Sequence, residues 1–235
     1  MRCRQYLNQM RFSFPAAALA LLVLLAACSP RTERFTVSGN LCDSLAAQPG
    51  CKVYLLGPGG WGEALDSAAV KGGKFTLRGT VDPTTCLTAV LHFPGRSPLD
   101  SRYRVSFIPD AETINIDLDY PEIVTGSPLT DAYASLQDGI LELYREKESE
   151  IGELSMNGMQ DKADSIFRVQ MSRINALCKD TYMQHSGDYV GLQALSILAR
   201  SLGGEELAAL VDQGAPFIAE DPVIRDSLES KLPDR

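Results

Sequence analysis

The chain has 235 residues, a formal net charge of −8 at pH 7 and 45% hydrophobic residues. Its length is sufficient for one large domain or two small ones. The acidic balance disfavours nucleic acid as a partner, because phosphate binding requires basic surface. It also disfavours electrostatic binding to anionic lipid headgroups.

The N-terminus has the organisation of a secretory signal. A basic head with three arginines precedes an apolar run over residues 15–25, and small residues follow. This order is typical of a signal peptide. The sequence Leu-Ala-Ala-Cys at residues 25–28 resembles the bacterial lipobox, in which the cysteine is acylated and becomes the mature N-terminus. We therefore predict a signal peptide over residues 1–27, lipidation of Cys28 and a short tether over residues 28–33.

The alternative for this segment is a transmembrane anchor. The 17 residues from Phe12 to Cys28 are at the lower limit of what spans a bilayer as a helix, and no basic stop-transfer cluster follows them. The lipid anchor is favoured, because Leu25, Ala26 and Ala27 precede the cysteine at positions −3 to −1. The acyl chains, palmitate among them, would provide stable membrane attachment. By analogy with lipoprotein sorting, Ser29 permits transfer to the outer membrane, so we expect an outer-membrane lipoprotein of the cell envelope that faces the periplasm.

Four further cysteines remain after the predicted leader and anchor: Cys42, Cys51, Cys86 and Cys178. The compartment beyond the inner membrane is oxidising. Cys42 and Cys51 flank a polar, turn-forming segment, so a disulfide between them would close a short loop, although sequence alone leaves the connectivity open. Cys86 and Cys178 are predicted to be buried free thiols. No Cys-x-x-Cys pair of the redox-active kind is present in the chain.

Residues 34–125 alternate between apolar and polar with the period of two that predicts strands. Gly72-Gly73 separates two of these runs and predicts a tight hairpin. Short strands broken by Gly and Pro indicate an antiparallel β-sandwich or small barrel. The predicted strands cover residues 35–39, 52–56, 67–70, 74–78, 86–93, 103–108 and 113–120.

The period changes to helical at Ser127-Pro128, an N-cap followed by proline at the first helical position. Residues 126–235 are therefore predicted to be helical, which makes the fold class α+β. In the second predicted helix, Ile166, Val169, Ile174 and Leu177 are expected to face inward. The predicted helices cover residues 128–156, 159–184, 188–202, 205–212 and 222–232.

Few side chains outside the cysteines suggest chemistry. Asp117 and Asp119 alternate with apolar residues, so a solvated strand face is favoured over a metal or acid–base pair. His92 and His185 have no Cys or acidic partner at a fixed spacing, which gives a weak case for a metal site or a catalytic triad. We therefore expect no metal, no cofactor and no catalytic residue. The exception is Trp61 in the Gly-rich loop 57–62, which could contact a glycan or a protein partner, although packing on the sandwich edge is favoured.

The order of segments resembles a family of lipoproteins whose N-terminal part is the domain of unknown function 4369. The resemblance is carried by structural motifs, mainly turn glycines and apolar strand positions, at residues 35–39, 66–79, 107–110, 124–131, 185–191 and 205–207. In many such proteins a TlpA-like thioredoxin domain with a Cys-x-x-Cys follows the helices. This chain ends about where that domain would begin, so the family's redox activity does not transfer to it.

Two functions are compatible with these features. The first is a lipid-anchored envelope protein that acts as a non-enzymatic binding or accessory module for a ligand or an envelope protein partner. The second is a component of a TlpA-like thiol–disulfide system, truncated before its thioredoxin domain. The absence of a Cys-x-x-Cys pair favours the first.

Overall fold

The computed structural model describes residues 33–41, 49–95, 103–119 and 121–232. Eight described strands form two four-stranded sheets. The first sheet has the order β4-β1-β7-β8 and the second has the order β3-β2-β5-β6. The strands are β1 Arg34–Asn40, β2 Lys52–Leu56, β3 Ala64–Ala69, β4 Lys74–Thr80, β5 Leu87–His92, β6 Arg104–Phe107, β7 Thr113–Asp117 and β8 Ile123–Thr125.

The two sheets pack face to face around one apolar core, as their alternating sequences require. Phe35 from the first sheet meets Phe107 from the second edge to face, with ring centroids 5.9 Å apart. Such aromatic contacts add to the stabilisation from area burial. The other fully buried core residues of the strands include Val37, Val53, Leu55, Leu77, Ala89, Leu91, Ile114 and Ile116.

The sandwich differs from the predicted antiparallel arrangement in two respects. β1 pairs with β7 in parallel, so the first sheet is mixed. Gly72 and Gly73 form the expected tight turn, with reciprocal hydrogen bonds between Lys71 and Lys74. The predicted hairpin is limited to this one antiparallel bridge. The strands that flank it, β3 and β4, pair with β2 and β1 respectively, so the turn connects the two sheets. Strand β8 was not predicted, and Tyr120 lies outside the described residues.

Six described helices follow the sandwich. Ser127 caps α1 by accepting the Thr130 N–H, and Asp188 and Asp221 cap α3 and α6, as the sequence predicts. Ile174 is buried, but Val169 is 59% exposed, so the inward position predicted for Val169 is wrong. The helices are α1 Pro128–Met156, α2 Gln160–Gln184, α3 Tyr189–Leu198, α4 Gly204–Val211, α5 Pro216–Glu220 and α6 Pro222–Lys231.

Backbone hydrogen bonds join the sandwich to the helices. The Tyr189 N–H at the start of α3 donates to the carbonyl of Pro83 over 2.8 Å. The Leu129 N–H in the first turn of α1 donates to Asp110 Oδ2, also over 2.8 Å. Ile108, which follows β6, is fully buried in the helical core. None of the described helices is long and apolar enough to cross a membrane.

Candidate ligand-binding site

A cavity of about 470 Å³ lies between the second sheet and the helices, and we call it the junction cavity. Its floor comes from β5 and β6, and its wall comes from the N-terminal parts of α1 and α3. The Gly-rich turn at Pro58–Gly60 borders it on a third side. The lining residues are Gly59, Cys86, Thr88, Arg104, Val105, Ser106, Glu122, Thr130, Tyr133, Ala134, Gln137 and Tyr189.

The polar floor of the cavity results from the alternation of side chains between the two faces of the second sheet. Leu87, Ala89 and Phe107 point into the sandwich core, so Thr88, Arg104 and Ser106 project from the opposite face of the second sheet. Thr88 lies directly across from Ser106 in the β5–β6 register, and their hydroxyl oxygens are 3.1 Å apart. The outer face of this sheet therefore supplies one guanidinium and two hydroxyls to the cavity.

The Gly-rich turn lies against Arg104. Gly60 is buried and has a φ of 71°, a left-handed conformation that favours glycine. A Cβ at Gly60 would lie 2.3 Å from Nη2 of Arg104 and 3.2 Å from Oγ1 of Thr88. With the guanidinium in this position the turn has no room for a Cβ, so Gly60 allows the backbone to lie against Arg104.

Arg104 and Glu122 bring opposite charges to the junction cavity without pairing. Within the described part of the chain, neither side chain forms a salt bridge or a hydrogen bond. Both residues are partly buried. Charged groups that are partly removed from water usually have a charged or hydrogen-bonding partner. Because Arg104 and Glu122 have none among the described residues, both are available to a ligand.

Two tyrosines form the helical wall. Tyr133 of α1 and Tyr189 of α3 pack edge to face, with centroids 5.7 Å apart. Burial raises the pKa of both phenols, and the neighbouring Cys86 adds to the rise. Both hydroxyls therefore stay protonated at neutral pH and can donate to a ligand.

Cys86 lies in the same cavity, and its chemistry is suppressed by its surroundings. Burial raises the pKa of the thiol to about 11, and the Ser106 hydroxyl offsets part of the rise. Cys178 is fully buried in the helical core, and burial likewise raises its pKa to about 11. The expectation that Cys86 and Cys178 are buried free thiols is confirmed. A thiol with such a pKa has little thiolate at pH 7 and is a poor nucleophile.

The other residues selected from the sequence do not converge on this cavity. Cys28 and Cys42 lie outside the described residues, so the lipid anchor and the Cys42–Cys51 disulfide remain predictions. Cys51 is buried at the edge of the sandwich core. Trp61 is 64% exposed, which differs from the favoured packing on the sandwich edge. Its ring lies beside Gly59, where a Cβ would be 3.2 Å from Cδ1 of the indole.

The histidines and paired aspartates have structural contacts. His92 packs edge to face on Tyr54, with centroids 5.3 Å apart. Nδ1 of His185 lies 2.8 Å from Oδ2 of Asp188, the residue that caps α3. Asp117 accepts the N–H of Asp119 over 2.9 Å. Among the described residues, no group of three or more His, Cys, Asp and Glu side chains is placed to hold a metal ion.

Apart from Cys86 and the Gly-rich loop 57–62, the residues of the junction cavity were not predicted from the sequence. Strand alternation alone would place Thr88, Arg104 and Ser106 on one face, but it does not show that a helix covers that face. Tyr133 follows the helical spacing of apolar residues in α1, which by itself indicates packing and not a site. The site is formed by six segments separated in sequence, and only the fold brings them together.

Comparison with known proteins supports the resemblance found from the sequence. No curated protein matches the chain. Residues 35–133 match the model of a family described as Domain of unknown function (DUF4369). The matched residues span the sandwich and the first residues of α1.

Proposed function

We propose that this protein is a lipid-anchored binding module of the cell envelope, without catalytic activity, and that its ligand occupies the junction cavity. The observation that carries the proposal is Arg104, which lines the cavity beside the Gly-rich turn and has no acidic partner among the described residues. A volume of about 470 Å³ is within the range of small-molecule sites. Hydroxyl and amide groups of Ser106, Tyr133 and Gln137 add donors and acceptors.

The binding function is tested with the full chain in detergent. Trp61 is the single tryptophan of the chain and lies beside Gly59 of the cavity lining, so its fluorescence is a local probe. We expect a chemically diverse small-molecule library to contain compounds that change this fluorescence and raise Tm. Arg104→Gln should abolish both effects, whereas Arg200→Gln, at an exposed position, should not. If no compound depends on Arg104, the cavity is not a ligand site.

The anchoring part of the proposal rests on the lipobox and is tested by substituting Cys28. Cys28→Ala should abolish incorporation of radiolabelled palmitate and leave an uncleaved precursor or a mislocalised soluble protein. Cys3→Ala, a cysteine in the predicted leader, is the matched control and should leave labelling unchanged. Palmitate incorporation into the Cys28→Ala variant would contradict the anchor.

The alternative, a component of a thiol–disulfide system, has weaker support. Such a role requires an accessible thiolate and a nearby resolving thiol. The pKa values of Cys86 and Cys178 are about 11, so neither supplies that thiolate at neutral pH. We expect no insulin reductase activity above that of a cysteine-free control. Turnover similar to that of a thioredoxin, lost in Cys42→Ser or Cys51→Ser, would favour the redox role instead.

A further inference from the structure

We infer that the ligand of the junction cavity is a small zwitterion with a carboxylate and an ammonium group, such as a free amino acid or a short peptide. The inference rests on the proposed binding function and adds the chemical class of the ligand. Three observations carry it: an unpaired guanidinium, an unpaired carboxylate in the same cavity, and aromatic rings in the wall.

The carboxylate end is assigned to Arg104. A guanidinium presents a planar fork of N–H donors that matches a carboxylate in a bidentate contact. The guanidinium lies against the turn at Gly60, where a Cβ would be 2.3 Å from Nη2. The hydroxyls of Thr88 and Ser106, on the same face of the second sheet, are further donors to an anion.

The ammonium end is assigned to Glu122 and to the tyrosine wall. Glu122 precedes β8 and lines the cavity together with Tyr133 and Tyr189. A carboxylate attracts an ammonium group directly, and an aromatic face attracts it through its quadrupole. Because burial keeps both phenols protonated, the rings remain neutral and their hydroxyls can also bond to the ligand.

The coexistence of the two charges favours a zwitterion over a simple anion. Arg104 and Glu122 do not form a salt bridge with each other, so a single ligand with both charges can neutralise both. Acetate or phosphate would satisfy Arg104 but would be repelled by Glu122 in the same cavity. A ligand that carries both charges bridges the two residues and avoids that repulsion.

The experiment is isothermal titration of the full chain in detergent with the twenty free L-amino acids and with the dipeptide Ala-Ala. We expect at least one of these probes to bind. Its N-acetyl derivative lacks the ammonium group and its amide lacks the carboxylate, and each should bind about tenfold more weakly, as expected for loss of a charged partner. Equal binding of the capped and free forms would overturn the inference.

Variants assign each end of the ligand to one residue. Arg104→Gln should weaken the free form but cause no further loss for the amide, since the amide no longer has the carboxylate. Glu122→Gln should likewise weaken the free form but cause no further loss for the N-acetyl form, since that form no longer has the ammonium group. Arg200→Gln and Glu220→Gln, at exposed positions outside the cavity lining, should not change binding.

The binding function and the ligand class can be rejected independently of each other. If no zwitterion binds but other compounds bind in an Arg104-dependent manner, the ligand class is wrong and the binding function stands. If no compound of either set depends on Arg104, both are wrong. Zwitterion binding that is insensitive to Arg104→Gln and Glu122→Gln would also overturn the assignment of this cavity.

Discussion

The hydroxyl of Ser127 donates a hydrogen bond to the backbone carbonyl of Ile108 over 2.8 Å. The Ile108 N–H in turn donates to Oγ1 of Thr130, and the hydroxyls of Ser127 and Thr130 are in hydrogen-bond contact. The N-cap of α1 is thereby tied to the segment that follows β6. This ring of bonds connects the floor of the junction cavity to its helical wall.

The first prediction concerns this connection. Ser127→Ala removes the cap of α1 and one of two donors to the buried Ile108 carbonyl, which keeps the Asp110 N–H. We therefore expect a loss of about 1–2 kcal/mol in the free energy of unfolding. Urea denaturation monitored by circular dichroism measures the loss. Ser135→Ala is the matched control, because Ser135 is an exposed serine of the same helix that bonds only within it. Equal stability of the two variants would contradict the prediction.

The second prediction concerns the helical core. Tyr182 of α2 is fully buried and donates to the carbonyl of Leu210 in α4 over 2.7 Å. Tyr182→Phe retains the ring but removes this hydrogen bond, while the carbonyl keeps the Gln213 N–H. The loss should cost about 0.5–1.5 kcal/mol of stability. Tyr144→Phe should change stability much less, because Tyr144 is 43% exposed. The difference in Tm between the two variants measures how much more the buried hydrogen bond stabilises the protein than the exposed one.

Local patterns in the sequence predict the elements more reliably than their partners. Ile114 and Ile116 alternate with polar residues, and both are in the core as expected. The Gly72-Gly73 pair predicts the turn correctly, but pairing depends on which sheet each strand joins, and local sequence does not determine this. Val169 has helical spacing, but its position is exposed because no described element covers that side of α2.

Neither the short elements nor the candidate site could be predicted from the periodicity of the sequence. β8 has three residues and α5 has five, which is too short for either period to be recognised. Arg104 and Glu122 look like ordinary surface charges in the sequence. Their significance depends on the helices that cover one face of the second sheet, and on a glycine that contacts a guanidinium.

The third prediction concerns Gly60 and Arg104. Gly60→Ala places a methyl group 2.3 Å from the original position of Nη2 and also forces alanine into a left-handed φ of 71°. We expect Arg104 to be displaced, ligand binding to weaken at least about tenfold, and stability to fall by about 1–2 kcal/mol. Titration with a ligand of the cavity and thermal unfolding measure the two effects.

Gly57→Ala is the control for that experiment. Gly57 belongs to the same loop, has a φ of −67°, and has no atom within 4 Å of an added Cβ. The Gly57→Ala variant should therefore bind ligand as tightly as the unmodified protein. If Gly57→Ala and Gly60→Ala weaken binding equally, the loop acts through its general flexibility and not through the contact with Arg104.

The fourth prediction concerns Cys42 and Cys51. If they form the disulfide predicted from the sequence, peptide mapping without reductant should recover the linked pair. The bond would constrain the unfolded chain across a short loop and contribute about 2–3 kcal/mol of stability. Reductant should therefore lower Tm of the unmodified protein but not that of Cys42→Ser. Two alkylatable thiols at these positions in oxidised protein would show that the bond is absent.

The fifth prediction concerns the response of stability to alkaline pH. The thiols of Cys86 and Cys178 have a pKa of about 11 in the folded protein, against an ordinary value of 9.0. Between these values the unfolded chain releases both protons while the folded protein keeps them. Their contribution to stability is therefore complete below pH 9 and is lost as pH rises towards 11, by about 1.4 kcal/mol per pH unit for each thiol.

Urea denaturation of the unmodified protein and of Cys86→Ala/Cys178→Ala, each at pH 8, 9, 10 and 11, tests this fifth prediction. The double variant starts from a lower stability, because two buried side chains are truncated, so the slopes are compared and not the values. The slope above pH 9 should be shallower in the variant, and the slope that remains comes in part from the buried tyrosines, whose pKa values are also raised by burial. Equal slopes in the two proteins would show that these thiols are already ionised, or accessible to water, in the folded state. That result would remove the main physical argument against a thiol–disulfide role for this chain.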